Sequence, residues 1–366
     1  MQKLKIEGGG RLSGELEIQG AKNSVLPLLS ACVLVNGEVR LKRCPSLSDV
    51  YSAMRILSSL GCKCRRSAAG EVYIDTRGLE STAVSDSLMR QMRSSIIFLG
   101  ALLGRAGECT LSFPGGCELG PRPIDLHLSA LRQLGAKITE EHGALICRCA
   151  NGLRGTQIDL SFPSVGATEN IMLAAVCAKG ETVISNAARE PEICDLADFL
   201  NLCGAKIRGA GSQRIVVEGV PRENLHGCEF EVMPDRIAAV TYMCAAAATG
   251  GEVSLHGARM GDIEAVVNLL RQAGCRICAC GDGVCLAAKA HLRNGRPLVI
   301  GISTNDALGI NFKNIGKLMN MKNIYFVPFG QDDCVKKPNS LVCDGKQVVG
   351  TIKEVMAGRQ IQPVIL

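Results

Sequence analysis

LRQLGAKI (131–138) has three counterparts in this chain of 366 residues: LSSLGCKC (57–64), LNLCGAKI (200–207) and LRQAGCRI (270–277). Their shared glycines, Gly61, Gly135, Gly204 and Gly274, lie 74, 69 and 70 residues apart. A second marker, Gly-Glu ahead of a strand, stands at Gly37, Gly107, Gly180 and Gly251, with spacings of 70, 73 and 71. Two independent markers with one period define an internal repeat. The repeat stops near Cys285, with 81 residues still to follow.

Each unit reads strand, helix, strand, helix, strand, strand. In the first, GELEI is a strand, NSVLPLLSACVL a helix opening at Asn23, EVRLKR a strand, DVYSAMRILSSLG an amphipathic helix ended by Gly61, and KCRR with EVYID a hairpin. The first helix of each unit is nearly all apolar, as in IMLAAVCA (171–178) or IAAVTYMCAAAA (237–248), which predicts burial inside a shell of sheet. The second opens on an acid and an aliphatic: Asp49-Val50, Asp125-Leu126, Asp195-Leu196, Asp262-Ile263. Those carboxylates read as first-turn partners of the helix dipole. The polar residues before the first helices differ between units: Ala21-Lys22-Asn23, Arg90 to Arg93, Ser164-Val165-Gly166, and Pro234-Asp235-Arg236. Helices related by the repeat bring their N-termini together, and exposed N–H groups there bind anions. Variable polar residues on a constant scaffold mark a ligand site.

Composition bounds the rest. Hydrophobic content of 47% with 21% charge is that of a globular chain of two or three domains. The opening MQKLKIEGGG has no apolar h-region, so no signal peptide is expected. The apolar stretches IIFLGALL (96–103) and IAAVTYMCAAAA fall short of a membrane span, and a cytoplasmic location is expected. Nineteen cysteines look like a disulfide framework until the units are aligned: Cys64 takes the place of Ile138 and Ile207, Cys62 that of Ala136 and Ala205. Cysteine here stands in for small core residues, so disulfides and metal are not expected. The Cys-x-Cys pairs 62/64, 147/149 and 278/280 put both sulfurs on one strand face. Residues 287–366 hold 11 Lys and Arg against 5 Asp and Glu, which accounts for the whole net charge of +6. This shift marks a domain boundary; without aromatic interleaving it does not point to nucleic acid.

The second unit carries the chemistry. PGGCELGPRPIDLHL (114–128) replaces a plain strand-to-helix link with a glycine-rich excursion. Pro123 suits the first position of the helix that follows. Cys117 lies mid-loop with Arg122 five residues on, and a guanidinium and a helix N-terminus both lower a thiol's pKa. Cys117 is therefore the candidate reactive thiol.

GAKNSVLPLLSA (20–31), MRSSIIFLGALL (92–103), the PGGC loop, SVGATENIMLAA (164–175), NAAREPEICDLADFL (186–200) and PDRIAAVTYM (234–243) together resemble the UDP-N-acetylglucosamine 1-carboxyvinyltransferase family of enolpyruvyl transferases. The resemblance covers residues 1 to about 285. It implies an inside-out α/β barrel of six such units, four of them present here, and transfer of enolpyruvyl from phosphoenolpyruvate to the 3′-hydroxyl of UDP-N-acetylglucosamine in peptidoglycan precursor synthesis. By motif it implies Cys117 as the catalytic acid, and Lys22, Asn23 and Arg122 on phosphoenolpyruvate. Arg93, Arg122, Pro123, Ile124, Asp125, Leu126, Phe162, Pro163, Ser164, Val165 and Gly166 would hold the UDP-sugar. The family often has Lys where Phe162 stands. No cofactor, metal, nucleic acid or membrane is implied, and nothing in the sequence sets an oligomeric state. The expected domains are 22–232 with the PGGC loop, an incomplete second domain from 1–21 plus 233–285, and 286–366.

The family's remaining two units, with an aspartate as candidate base, have no counterpart after residue 285, and the context of Asp306 in STNDALG does not match. Residues 287–342 instead resemble the C-terminal part of the flavoprotein-like dipicolinate synthase B subunit. PLVIGIS and IYFVPFG read as buried parallel strands and NIGKLMN as their crossover helix, a fragment of a doubly wound sheet. The chain then reads as a chimera joined near Leu286. The expectation is impaired turnover, with two alternatives: a nucleotide-sugar-binding remnant, or a protein like that B subunit.

Overall fold

The computed structural model describes residues 10–115, 123–141, 143–287, 297–304, 308, 310–331, 335, 337 and 339–366. The chain divides into one compact unit, Ile18–Ile237, and a second made of Met1–Glu17 with Ala238–Leu366.

Four four-stranded sheets share one plan: a leading strand pairs parallel with a second, which pairs antiparallel with the far strand of a hairpin. Two units keep their own leading strand. Ala83–Val84 lies beside Glu108–Ser112, and Gln157–Asp159 beside Glu181–Ser185. The other two exchange theirs. Ser13–Glu17 pairs with Glu252–His256 of the fourth unit, and Glu229–Glu231 pairs with Glu38–Lys42 of the first. GELEI thus belongs to a different sheet from the hairpin that follows it in sequence.

Every repeat glycine ends a helix in the left-handed region, with φ of 103° at Gly61, 101° at Gly135, 105° at Gly204 and 94° at Gly274. This is the cap a side chain would strain, so the spacing of LxxxG is a spacing of helix ends. In unit Ile18–Ile237 the first helices Lys22–Ala31, Phe98–Ala106 and Val165–Ala175 are buried, as their composition requires. The last two approach closely at Gly100 and Gly104, where an added Cβ would fall 2.2 Å from the Asn170 carbonyl oxygen and 2.9 Å from that of Leu173. The equally apolar helix Arg236–Thr249 differs, leaving Ile237 and Tyr242 about half exposed.

The opening acids do more than face a dipole. Helix Lys22–Ala31 begins one residue before Asn23, and two of those acids reach its first turn. Asp49 pairs with Lys22 at 2.6 Å, and Asp195 accepts from the Ser24 hydroxyl. Asp195 lies in the second turn of Pro191–Leu202, because the helix opens on Pro191, and its carboxylate also accepts from the Met233 amide at 3.3 Å. The dipole reading is therefore corrected for Asp195.

Fifteen of the described cysteines are free, most of them buried or half-buried. One disulfide, Cys280–Cys285, corrects the expectation of none. It spans the hairpin Arg276–Cys280 and Gly283–Ala287, where Cys278 is in register with Cys285. Alternation places Cys278 and Cys280 on one face, so Cys280 reaches Cys285 diagonally with a Cα–Cα separation of 6.0 Å.

In the tail, Leu298–Ile300 and Ile324–Phe326 are parallel, with helix Ile310–Met319 between them in sequence. Leu298–Ile300 is half-buried, where a buried strand was expected, while the second strand runs into buried Phe326 and Val327. The chain continues into an antiparallel ribbon of Ser303–Thr304, Leu341–Cys343 and Phe329–Gly330 around Phe326, Phe329 and Leu341.

Candidate active site

Within unit Ile18–Ile237 a cavity of ≈ 570 Å³ opens where helix beginnings converge. Its walls are the starts of Lys22–Ala31, Ser48–Ser59, Asp125–Gln133, Val165–Ala175, Pro191–Leu202 and Arg236–Thr249, with the 3₁₀ turn Arg93–Ile97. Partial positive charge at helix N-termini makes such a cavity suited to an anionic ligand.

Of the residues singled out from sequence, Lys22, Asn23, Arg93, Pro123, Ile124, Phe162, Pro163, Ser164, Val165 and Gly166 line this cavity. Asp125 and Leu126 continue the helix behind Ile124 and do not line it. Cys117 and Arg122 lie outside the described residues, as does Asp306. The loop's near end is described: Gly115 lies so close to Arg90 that an added Cβ would fall 2.3 Å from its carbonyl oxygen. Ser164 caps its helix by accepting from the Ala167 amide at 3.3 Å, so its hydroxyl has a structural task as well.

Two cations of the cavity are paired. The Lys22 ammonium is engaged by Asp49, and Arg236 donates to buried Glu192 at 3.0 and 3.2 Å. Glu169 is 3% exposed, and burial, reinforced by Glu192 and Glu190, holds its carboxyl well above the usual range. His127 is pulled down to about 4 by burial and then by the Arg93 charge, against the opposing pull of Asp125. Its ring is thus neutral at neutral pH. Sequence reasoning missed His127, Glu169, Glu190 and Glu192 as wall residues. Glu169 had a signal, being a carboxylate inside the otherwise apolar run of helix Val165–Ala175.

Among the described residues no group of three His, Cys, Asp or Glu could hold a metal, and no helix is long and apolar enough to cross a membrane. The arrangement can bind an anion at Lys22 and the helix ends, and a larger polar ligand along Arg93, Pro123 and the 162–166 turn.

Units that each form one four-stranded sheet, with helix ends facing one cavity, give this chain the fold of known enolpyruvyl transferases. The enolpyruvyl transferase NikO from Streptomyces tendae has a TM-score of 0.70 at 23% identity, over 81% of this chain and 70% of that one. EPSP synthase from Acinetobacter baumannii gives 0.59 at 21%, over 77% and 66%. Residues 6–300 match the EPSP synthase (3-phosphoshikimate 1-carboxyvinyltransferase) family, and the chain belongs to it. Within that family it is 50% identical over 277 residues to UDP-N-acetylglucosamine 1-carboxyvinyltransferase 2 of Caldanaerobacter subterraneus subsp. tengcongensis, which is 76% of this chain and 66% of that protein. Over 295 residues it is 45% identical to UDP-N-acetylglucosamine 1-carboxyvinyltransferase of Nitratidesulfovibrio vulgaris, covering 81% and 69%. The chain thus spans about two thirds of the length of these relatives.

Proposed function

We propose that the cavity is the substrate site of an enolpyruvyl transferase acting on phosphoenolpyruvate and UDP-N-acetylglucosamine, with release of phosphate, in the cytoplasm. The observation that carries this reading is the gathering of Lys22, Asn23, Arg93 and the 162–166 turn around one cavity at helix N-termini. In the reaction the sugar hydroxyl gives up its proton to a base as its oxygen bonds to C2 of phosphoenolpyruvate, while C3 gains a proton from an acid, giving a phosphorylated ketal. The C2–O bond to phosphate then breaks, C3 loses a proton, and the double bond re-forms. Lys22 and Asn23 would hold the phosphoenolpyruvate. Arg93, Pro123 and residues 162–166 would hold the nucleotide sugar, with Asp125 and Leu126 behind them. Cys117 would deliver the proton and Arg122 would steady the phosphate. Addition to an enol phosphate needs that proton donor, and a leaving phosphate needs cations.

A second reading, ligand binding without turnover, is favoured by one observation: after the hairpin that ends at Ala287, the described residues form a parallel pair, Leu298–Ile300 with Ile324–Phe326, and an antiparallel ribbon, and among them there is no further four-stranded unit. We divide the chain accordingly into 22–232, 1–21 plus 233–285, and a flavoprotein-like fragment 286–366 in a chimeric chain. The βαβ passage from Leu298 to Phe326 supports that last assignment. Phosphate release from the two substrates, run beside Cys117→Ala, decides between the readings. Turnover above that variant supports the enzyme, calorimetric binding of the sugar nucleotide without turnover supports the remnant, and absence of both overturns the site.

A further inference from the structure

Asn170 is fully buried in helix Val165–Ala175 and uses both ends of its amide. Its Oδ1 accepts from the Gly100 amide at 2.7 Å. Its Nδ2 donates to the Ile96 carbonyl at 3.1 Å and to His127 Nδ1 at 2.8 Å. The amide cannot be turned over, because its NH2 would then face the Gly100 N–H, donor against donor. Nor can it be pushed aside, since Gly100 meets it where an added Cβ would fall 2.7 Å from Oδ1. The partner of an N–H donor must accept, so Nδ1 of His127 bears no proton. A neutral imidazole that accepts at Nδ1 carries its proton on Nε2.

The Nε2 edge of His127 lies beside Gly166, and both residues line the cavity. An added Cβ at Gly166, a wall residue, would fall 3.0 Å from Cε1 and 3.3 Å from Nε2 of His127. We propose that Asn170 is a positioning residue of the substrate site, holding His127 in the Nε2–H form so that the wall beside Gly166 offers a neutral N–H donor to an oxygen of the bound nucleotide sugar. This rests on the reading of the cavity as a nucleotide-sugar site. The charged groups that act on the ring are Arg93 on the 3₁₀ turn and Asp125 on its own helix, and Glu169 on the helix of Asn170 lines the same cavity. Burial and Arg93 disfavour imidazolium, while Asp125 favours it less strongly. The same amide reaches the Ile96 carbonyl, so one buried side chain sets both the ring and the turn that carries Arg93.

Long-range ¹H–¹⁵N NMR on histidine-labelled protein tests this, with the His127 signal assigned by its loss in His127→Gln. The wild-type ring is expected unprotonated at Nδ1, protonated at Nε2, and without titration between about pH 5.5 and 8. A proton on Nδ1, or titration near the ordinary value, overturns the assignment whatever any variant does. Asn170→Asp cannot donate to Nδ1, so the proton should move there and UDP-N-acetylglucosamine affinity, measured by calorimetry, should fall about tenfold. Unchanged affinity with a reversed tautomer overturns the donor role. If the wild type does not bind the sugar nucleotide at all, the donor role falls with the substrate-site reading, and the tautomer is still decided by the spectrum.

Discussion

Replacing Asp195 by alanine should loosen the start of helix Lys22–Ala31, on which the proposed anion site is built. The carboxylate takes the hydroxyl of Ser24, which is fully buried, and the amide of Met233, which is 1% exposed. Met233 in turn accepts from the Ala21 amide at 2.8 Å, so one carboxylate steadies both the residue before the helix and the Met233 segment beside it. Alanine would leave two buried donors without acceptors, each costing about 1–3 kcal/mol. Together the two cost about 2–6 kcal/mol, or roughly a thirtyfold to ten-thousandfold loss of protection. Hydrogen exchange read by mass spectrometry on peptides covering 22–34 measures this directly, because exchange reports local opening. Asp195→Ala combined with Ser24→Ala removes one orphaned donor and should recover part of the loss. If Asp195→Ala leaves protection within about tenfold of wild type while helix Pro191–Leu202 frays, the carboxylate is serving its own helix and the cross-helix argument is wrong.

Two further outcomes follow from charge and burial. His256 is raised by Glu15 at 3.3 Å and then Asp282 at 3.5 Å, so its charge stabilises the pairing of Ser13–Glu17 with Glu252–His256. That contribution is fully present below the unfolded histidine value and is lost as pH rises through the higher folded one. An NMR titration should put His256 above about 6.5, and a midpoint at or below that figure would remove the argument. Brief exposure to a small electrophile at neutral pH should label Cys117 well before Cys44 and Cys62, whose thiols burial pushes up to about 12. If Cys117 labels no faster than Cys343 of the tail, the activated-thiol assignment fails.

The four-sheet plan was legible because glycines that end helices cannot be exchanged cheaply, and their spacing survives in LxxxG. The exchange of leading strands was not visible in the same way. GELEI and the strand Glu229–Glu231 alternate like any other, and pairing partners are set by tertiary closure, not by local pattern. The polar residues ahead of the first helices pointed to the cavity, since Lys22, Arg93 and Ser164 differ where a scaffold alone would repeat. His127 was hidden inside a helix read as amphipathic, and its importance comes from Asn170, 43 positions away, which no spacing rule connects to it. The disulfide was missed because thiols were judged by the slots they fill, whereas Cys280 and Cys285 meet through a hairpin.

The same sequence element takes different tasks according to what the fold sets opposite it. An acid near the start of the second helix recurs in all four units, yet Asp49 meets an ammonium and Asp195 a hydroxyl and an amide. Asp125 pulls against burial and Arg93 at the His127 ring. Apolar first helices likewise share a composition. Val165–Ala175 is buried throughout most of its length, while Arg236–Thr249 leaves Ile237 and Tyr242 open. Composition requires such a helix to be covered but does not supply the cover. The repeat therefore accounts for the scaffold, and the chemistry must be sought where equivalent positions hold unlike residues. Lys22, Arg93, Ser164 and Arg236 stand at or next to such positions, and all but Ser164 bring a charge, with Lys22 held by Asp49 and Arg236 by Glu192. Those four side chains meet at one cavity because the repeat brings their helix ends together.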